Sequence, residues 1–226
     1  MTDTHPAEQV AYTEYAVYSR ITGSGMAEQS VAADLARYEE RLAGLGVTLR
    51  GIYDVTEFKP ESDVMVWTHA ERPEALQVAG QMFRRLGLAQ GLTRAWSAVG
   101  VHVQAEFTKA HAPAFMYGKE PKKWVTVYPF VRSHEWYLLP EDERAEMLRE
   151  HGLAGRKFPN VLANTVGAFA LGDYEWLLSF EADELLELVD MMRDLRYTKA
   201  RLHVREELPF YTGRRVNADE LTRLLG

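Results

Sequence analysis

Two histidines and one tyrosine stand where their side chains could take part in chemistry. His151 ends a predicted helix directly before Gly152, where an imidazole with a fixed direction could ligate a metal or could only complement the helix C-terminus. His111 lies in a connector of small residues, where it could accept a proton near neutral pH or simply face solvent. Tyr128 precedes Pro129 in a predicted strand. Because proline lacks a backbone donor, a bulge or an edge is expected there, and it could aim Tyr128 into a site rather than the core.

Three cationic residues accompany these positions. Arg132 follows Tyr128 in the same predicted strand, and Arg156 and Lys157 follow His151 closely. If these cations are scattered over the surface, they are ordinary solvent-exposed residues that bind no ligand. Gathered in one pocket, they would bind an anionic ligand that carries carboxylates or phosphates. The other histidines show no metal-ligand spacing and are interpreted as structural: His5, His69, His102, His134 and His203.

The composition removes several classes of function. The 226 residues include no cysteine, which excludes disulfides, thiolate nucleophiles, iron–sulfur clusters, cysteine zinc sites and c-type heme attachment. A transition metal must therefore be held by histidine or carboxylate. The net charge of −7 argues against a surface built for nucleic acid, but not against a local basic pocket. The polar N-terminal segment and the lack of a long apolar run predict a soluble, cytoplasmic protein without a membrane span.

The elements that must position these residues follow the order β-α-β-β-α-β twice. In the first half, alternation and helical periodicity predict strands over 12–21, 47–55, 63–69 and 94–107 and helices over 26–45 and 73–86. In the second half they predict strands over 124–132, 166–171, 174–181 and 198–208 and helices over 140–151, 159–165 and 183–195. Short strings also recur between the halves, because residues 15–20 resemble 127–132 and residues 82–86 resemble 191–195.

This repetition predicts an α+β fold of two tandem ferredoxin-like modules, whose antiparallel sheets pair to close a barrel flanked by helices. The predicted divisions are a disordered tail, 1–11, an N-terminal module, 12–107, a connector, 108–123, a C-terminal module, 124–216, and a C-terminal tail, 217–226.

Several motifs of the second half resemble the chlorite dismutase superfamily. They are Tyr128-Pro-Phe-Val-Arg132, Trp136-Tyr-Leu-Leu-Pro140, Arg149-Glu-His-Gly152, Gly155-Arg-Lys157 and Asp173-Tyr-Glu-Trp176. More closely, the chain is similar to the branch of coproheme decarboxylases, the hydrogen-peroxide-dependent heme synthases, in their actinobacterial form. The similarity extends from about residue 12 to residue 215.

The resemblance implies a homopentamer of such barrels, with a porphyrin bound by the C-terminal module. It implies that His151 is the proximal iron ligand. By the same resemblance, Tyr128 is the tyrosine that becomes a radical and oxidises a propionate, and His111 is the distal histidine that deprotonates peroxide.

The resemblance also assigns residues around the porphyrin edge. Arg132, Arg156 and Lys157 match positions near the propionates, and Trp136 matches a tryptophan at the same edge. Ala163 aligns with a distal position that is arginine in chlorite-degrading relatives and glutamine in the Firmicutes branch. Without a guanidinium there, chlorite dismutase activity is not expected.

The implied reaction is the hydrogen peroxide-dependent oxidative decarboxylation of two propionates of iron-coproporphyrin III (coproheme), which gives heme b. It passes through a harderoheme-type monovinyl intermediate and is the last step of coproporphyrin-dependent heme biosynthesis. Coproheme would be both substrate and redox cofactor, and the implied partners are coproheme, hydrogen peroxide and, transiently, ferrochelatase or heme acceptors. Three alternatives stay open: a peroxidase or chlorite dismutase on the same fold, a non-catalytic heme-binding or heme-transfer protein, and a heme-free barrel protein.

Overall fold

A computed structural model describes residues 10–21, 28–102 and 112–226. Its strands are β1 Tyr12–Arg20, β2 Val47–Asp54, β3 Val64–Ala70, β4 Leu92–Val101, β5 Trp124–Arg132, β6 Leu162–Gly167, β7 Trp176–Ala182, β8 Val204–Glu206 and β9 Tyr211–Arg215. Its α-helices are α1 Glu28–Leu45, α2 Pro73–Phe83, α3 Glu141–Gly155, α4 Leu185–Leu195 and α5 Ala218–Leu225. Short 3-10 helices occupy Gly87–Ala89, Ala114–Tyr117, Trp136–Leu138 and Lys199–His203. Among the described residues, no helix is long and apolar enough to cross a membrane.

The strands form one antiparallel sheet that closes on itself. The order is β7-β6-β4-β1-β3-β2-β9-β5-β8, and a further pairing of β7 with β5 completes the ring. The first half contributes β4-β1-β3-β2, and the second half contributes β6-β7-β5-β9. Counted within each half, the last strand lies beside the first and the third beside the second, which is the ferredoxin-like order. The predicted α+β barrel of two ferredoxin-like halves is confirmed.

The two halves meet at two pairs of neighbouring strands, here called seams, and a glycine lies in each. At one seam β4 pairs with β6 through Val101 and Gly167. At the other, β2 pairs with β9, and a Cβ on Gly213 would lie 2.6 Å from the backbone oxygen of Asp54. Glycine at this position therefore allows the strands of different halves to approach closely.

Three clusters of buried side chains form the core. The barrel interior is filled mainly by aromatic and branched residues, among them Tyr15, Trp67 and Val127. A second cluster lies between the N-terminal sheet and its helices, and a third lies where α4 packs on the C-terminal sheet. Each half thus buries one face of its sheet in the shared barrel and covers the other face with helices.

Helix α5 corrects the prediction of a C-terminal tail over 217–226. Asn217 caps the helix: its side chain accepts from the Glu220 N–H, and the Glu220 carboxylate accepts from the Asn217 N–H. Leu221 and Leu225 are buried in the core of the N-terminal half. The chain therefore crosses back at its end to the module with which it began.

The second half contains the other differences from prediction. Residues 162–165, predicted as part of a helix, belong to β6, which pairs with both β4 and β7. The predicted strand 198–208 contains a 3-10 helix and the short β8. Strand β9, which was not predicted, supplies pairing to both β2 and β5. The secondary structure of these segments depends on pairing with strands far away in sequence, so the local sequence pattern predicts it poorly.

Candidate functional site

A cavity that opens to solvent lies in the C-terminal half, between strand β5 and the segment that follows helix α4, and the empty space there, open mouth included, is about 470 Å³. Its lining contains polar and cationic side chains among apolar ones: Tyr128, Phe130, Arg132, His151, Leu178, Met192, Leu195, Arg196, Ala200, Arg201, Val204 and Glu207. Tyr128, Arg132 and His151, three of the residues singled out in the sequence, therefore line one cavity.

Strand β5 positions Tyr128 through an interruption of its hydrogen-bond ladder. On one side β5 pairs with β7 from Trp124 to Phe130. On the other side it pairs with β9 as far as Val127 and with β8 only from Val131 onward, where the register shifts. Pro129 lies in that gap, so its missing N–H costs no hydrogen bond there. The irregularity expected beside Tyr128 is present, but β5 is an interior strand rather than an edge.

Helix α3 and Thr198, which lies three residues after the end of α4, fix the ring of His151. The Thr198 hydroxyl donates to the Leu195 carbonyl oxygen at 2.9 Å and lies 3.1 Å from His151 Nδ1. Since the hydroxyl proton is used, Thr198 accepts from His151 Nδ1–H, which leaves Nε2 as the lone-pair nitrogen. Burial lowers the pKa of His151, and the positive charge of Arg132 lowers it further. Both effects favour the neutral imidazole, the form that ligates metals.

Tyr128 is a buried phenol with a weak hydrogen-bond partner. Its hydroxyl donates to Met192 Sδ at 3.7 Å, and its ring stacks on Phe210 with centroids 4.4 Å apart. Burial raises the pKa of Tyr128, and the negative charge of Glu207 adds to that increase. The phenol therefore keeps its hydrogen until it is oxidised or meets a stronger base.

The cavity is rich in guanidinium groups. Glu207 holds Arg196 and Arg201 at 2.8 and 3.1 Å, while Arg132 lies over the Trp136 ring at 4.0 Å from its centroid. Three arginines against one carboxylate favour a ligand with several negative charges.

The structure distributes the remaining predicted residues differently. Trp136 is fully buried beneath Arg132, and its Nε1 has no hydrogen-bond partner among the described residues. Arg156 and Lys157, at the end of α3, are exposed and are not part of the cavity lining, and Lys157 pairs with Asp194 at 3.0 Å. A role for these two cations at the cavity stays a prediction.

The two distal positions lie away from the cavity lining or beyond the described residues. Ala163 is exposed on β6 and pairs with Phe180, whose ring contacts that of Tyr128 at 6.1 Å. His111 lies outside the described residues. The connector resumes at Ala112, and the Phe115 N–H donates to Asn164 Oδ1 on β6 at 3.0 Å.

Sequence reasoning missed Arg196, Arg201, Glu207 and Thr198. A signal was present, since cations surround Thr198 directly after the predicted helix 183–195. The interpretation of 198–208 as a strand hid it, because a strand would have placed Thr198 on the opposite face from Arg201 and Glu207.

Within the part of the chain that the structure describes, no three histidine, aspartate or glutamate side chains converge as a metal cluster would require. A metal at His151 would thus have fewer than three such protein ligands there, which suits an iron whose other ligands come from a porphyrin. The family described as "Chlorite dismutase" matches residues 28–216. The chain belongs to the chlorite dismutase family.

One relative gives a closer comparison. The chain is 49% identical over 214 residues to the coproheme decarboxylase of Mycolicibacterium smegmatis, a match that covers 94% of this chain and 93% of the relative. Solved structures resemble the fold at lower identity. A double mutant of the chlorite dismutase of Candidatus Nitrospira defluvii superposes with a TM-score of 0.83 at 20% identity, covering 96% of each chain. The imidazole complex of the same enzyme gives a TM-score of 0.80 at 19% identity, covering 94% of each chain.

Proposed function

We propose that this protein catalyses the hydrogen peroxide-dependent oxidative decarboxylation of coproheme to heme b. The observation that carries the proposal is the placement of His151, Tyr128 and Arg132 around one cavity. The 49% identity to a coproheme decarboxylase over nearly the whole chain supports the same substrate.

The residues present fit an iron porphyrin that bears several carboxylates. His151 offers a neutral nitrogen whose tautomer is set by Thr198, and such support for the non-ligating nitrogen orients a metal-bound imidazole. When bound, the iron porphyrin supplies peroxide activation and the carboxylates that are lost. Arg132, Arg196 and Arg201 would hold propionates that stay intact or wait to react, so they fix the orientation of the substrate.

Tyr128 is proposed to act as a hydrogen-atom donor and acceptor. The conversion of one propionate to a vinyl group releases CO₂, one proton and two electrons, and one hydrogen peroxide accepts the electrons. The Tyr128 phenol first loses its electron and proton, and the resulting radical then takes a hydrogen atom from the propionate β-carbon. Its burial and the raised pKa of Tyr128 suit this role, because the phenol starts protonated and shielded from water.

We further propose that His111 deprotonates peroxide and that the reaction passes through the monovinyl harderoheme stage. A homopentameric assembly, a cytoplasmic location and transient contact with ferrochelatase or heme acceptors belong to the same proposal. They rest on the family resemblance, and sedimentation of the purified protein tests the assembly.

Mass spectrometry of bound porphyrin during a peroxide titration tests the function. The expected result is two successive losses, each corresponding to one CO₂ and two hydrogens, at one peroxide per loss. A bound porphyrin of unchanged mass would contradict the proposal and favour a heme-binding or heme-transfer protein. Oxygen release from chlorite with no change in coproheme would favour chlorite dismutation, and a protein that stays colourless with coproheme would be heme-free.

Replacement of Tyr128 by phenylalanine tests the radical role. Tyr128→Phe keeps the ring that stacks on Phe210 but has no hydrogen atom to give, so we expect coproheme binding near the wild-type value and decarboxylation slower by at least about 100-fold. Optical titration measures binding, and porphyrin mass measures turnover. Wild-type turnover by this variant would remove Tyr128 from the mechanism.

A further inference from the structure

A group of aromatic side chains connects the cavity with the protein surface. Phe130 lines the cavity and stacks on Trp176, with centroids 6.1 Å apart and ring planes 11° apart. Trp176 Nε1–H donates to the Tyr137 hydroxyl oxygen at 3.4 Å. Phe169 packs edge-on against both Trp176 and Tyr137, with centroids at 5.4 and 6.3 Å. Indole and phenol are the side chains most easily oxidised by one electron, and here they are joined by a hydrogen bond.

At the surface end of this aromatic group, the Tyr137 hydroxyl has a carboxylate beside it that can accept its proton. The Tyr137 hydroxyl donates to Glu175 Oε2 at 2.9 Å, so a carboxylate is in place to accept the phenolic proton when the ring is oxidised. The same carboxylate oxygen accepts the Arg132 backbone N–H at 2.8 Å, which anchors it to strand β5. A phenol that loses an electron becomes a strong acid, and a positioned base within hydrogen-bond distance makes that loss easier.

The position of the phenol also makes it accessible. Tyr137 is 38% exposed and Phe169 is 49% exposed, whereas Tyr128 is only 3% exposed. A donor molecule too large to enter the cavity could therefore reach Tyr137 but not Tyr128.

We propose that Trp176, Tyr137 and Glu175 form a surface redox site at which bulky one-electron donors reduce oxidising equivalents generated in the cavity. This inference rests on the proposed function for its oxidant, hydrogen peroxide used at the cavity. Trp176 gives an electron toward the cavity across its contact with Phe130. Tyr137 then gives an electron to the oxidised indole and its proton to the Glu175 carboxylate. An external donor returns the electron to Tyr137, and Glu175 returns the proton.

The balance closes over two such transfers. Two donor molecules each lose one electron, two protons come from solvent or from the donors, and one hydrogen peroxide becomes two waters, while the phenolic proton cycles between Tyr137 and Glu175. The site would compete with propionate oxidation when donors are abundant, and it would remove surplus oxidising equivalents when the substrate has been consumed.

Protein loaded with heme b is the material for the test, since it keeps the cavity chemistry without the propionates that react. ABTS, a bulky sulfonated one-electron donor, is the probe. We expect Tyr137→Phe and Glu175→Gln to slow peroxide-driven ABTS oxidation by at least about tenfold, because each removes one partner of the proton-coupled step. Tyr197→Phe is the matched control: Tyr197 is 86% exposed and absent from the aromatic group, so its loss should leave the rate unchanged.

A second readout does not depend on turnover. With peroxide, a nitrone spin trap and no donor, peptide mapping should find the trap on Tyr137, and Trp176→Phe should remove that label. ABTS oxidation at the wild-type rate in Tyr137→Phe, or wild-type labelling only at other residues, would overturn the inference. Coproheme turnover, measured separately, should persist in Tyr137→Phe. Its absence from the wild-type protein would overturn the proposed function and leave the heme b measurements interpretable.

Discussion

The hydroxyl of Thr198 does not line the cavity, but it sets the tautomer of His151, which does. By donating to the Leu195 carbonyl oxygen it can only accept from His151, so one hydroxyl determines which imidazole nitrogen is available. Such partners of metal-ligating histidines typically account for about 10- to 100-fold in metal affinity.

Thr198→Val tests this effect with little change in shape. The variant leaves His151 Nδ1–H without its acceptor, and we expect affinity for coproheme or heme b to fall by about 10-fold or more. Optical titration measures the affinity, and resonance Raman measures the iron–histidine stretch. Thr198→Ser keeps the hydroxyl and should bind as the wild type does; equal affinity of the Val and wild-type proteins would show that the hydrogen bond does not support the ligand.

Sequence reasoning reaches some of these residues and not others for a physical reason. Tyr128 carries a local signal in the strand proline, and His151 carries one in the glycine that follows it. The helix end predicted at His151 is wrong, because α3 continues through Gly152 to Gly155. The cavity arginines Arg196 and Arg201 carry only the weaker signal of a group of cations around Thr198, because the end of α4 and the 3-10 helix after it are what bring both to Glu207. Their grouping is a product of tertiary structure.

The close approach of strands β2 and β9 requires glycine at position 213. Gly213→Ala would bring a Cβ to 2.6 Å from the Asp54 backbone oxygen, closer than van der Waals contact allows. We expect the free energy of unfolding to fall by about 1–3 kcal/mol, measured by urea unfolding.

Gly44→Ala supplies the control for that prediction. Gly44 lies in α1, and among the described residues nothing beyond its own helix lies within 4 Å of the position that a methyl group would take. Alanine there should therefore raise the free energy of unfolding by about 0.5–1 kcal/mol. A Gly213→Ala protein as stable as the wild type would mean that the two halves can separate slightly at this seam without cost.

Helices and strands are predicted correctly where the sequence is periodic and where a proline or glycine marks the boundary. Helix α2 begins at Pro73, as a proline at the first helical position favours, and helix α1 ends before Gly46, which adopts a φ of 69°. Strand β9 is short and contains Gly213, and it exists because β2 and β5 pair with it on both sides. Because both partners are far away in sequence, no short stretch of sequence around Gly213 could predict this strand.

At the scale of the whole molecule, one buried ion pair joins the halves. Arg50 on β2 donates through Nε and a terminal nitrogen to Glu181 Oε1 on β7 at 3.1 and 2.8 Å. The same two side chains hold the connector, since Arg50 donates to the Lys119 carbonyl oxygen and Glu181 accepts the Lys122 N–H. Both side chains are almost fully buried, so each depends on the other for the opposite charge that offsets the loss of water.

Removing one partner of this pair should destabilise the protein strongly. For Glu181→Ala we expect a loss of about 3–5 kcal/mol in the free energy of unfolding, because Arg50 would keep its charge in a buried site. Urea unfolding measures the loss. Asp183→Ala breaks the exposed pair with Lys122 and should cost no more than about 1 kcal/mol; equal losses in the two variants would show that Arg50 reaches solvent.

Helix α5 has a consequence for the order in which the protein forms during synthesis. The core of the N-terminal half contains Leu221 and Leu225, and the Arg20 guanidinium donates to the carbonyl oxygens of Leu224 and Leu225. Domains generally fold as their residues leave the ribosome. Here the half that is translated first cannot complete its core until residue 225 has emerged, so its exposed apolar face must wait for the whole of the other half.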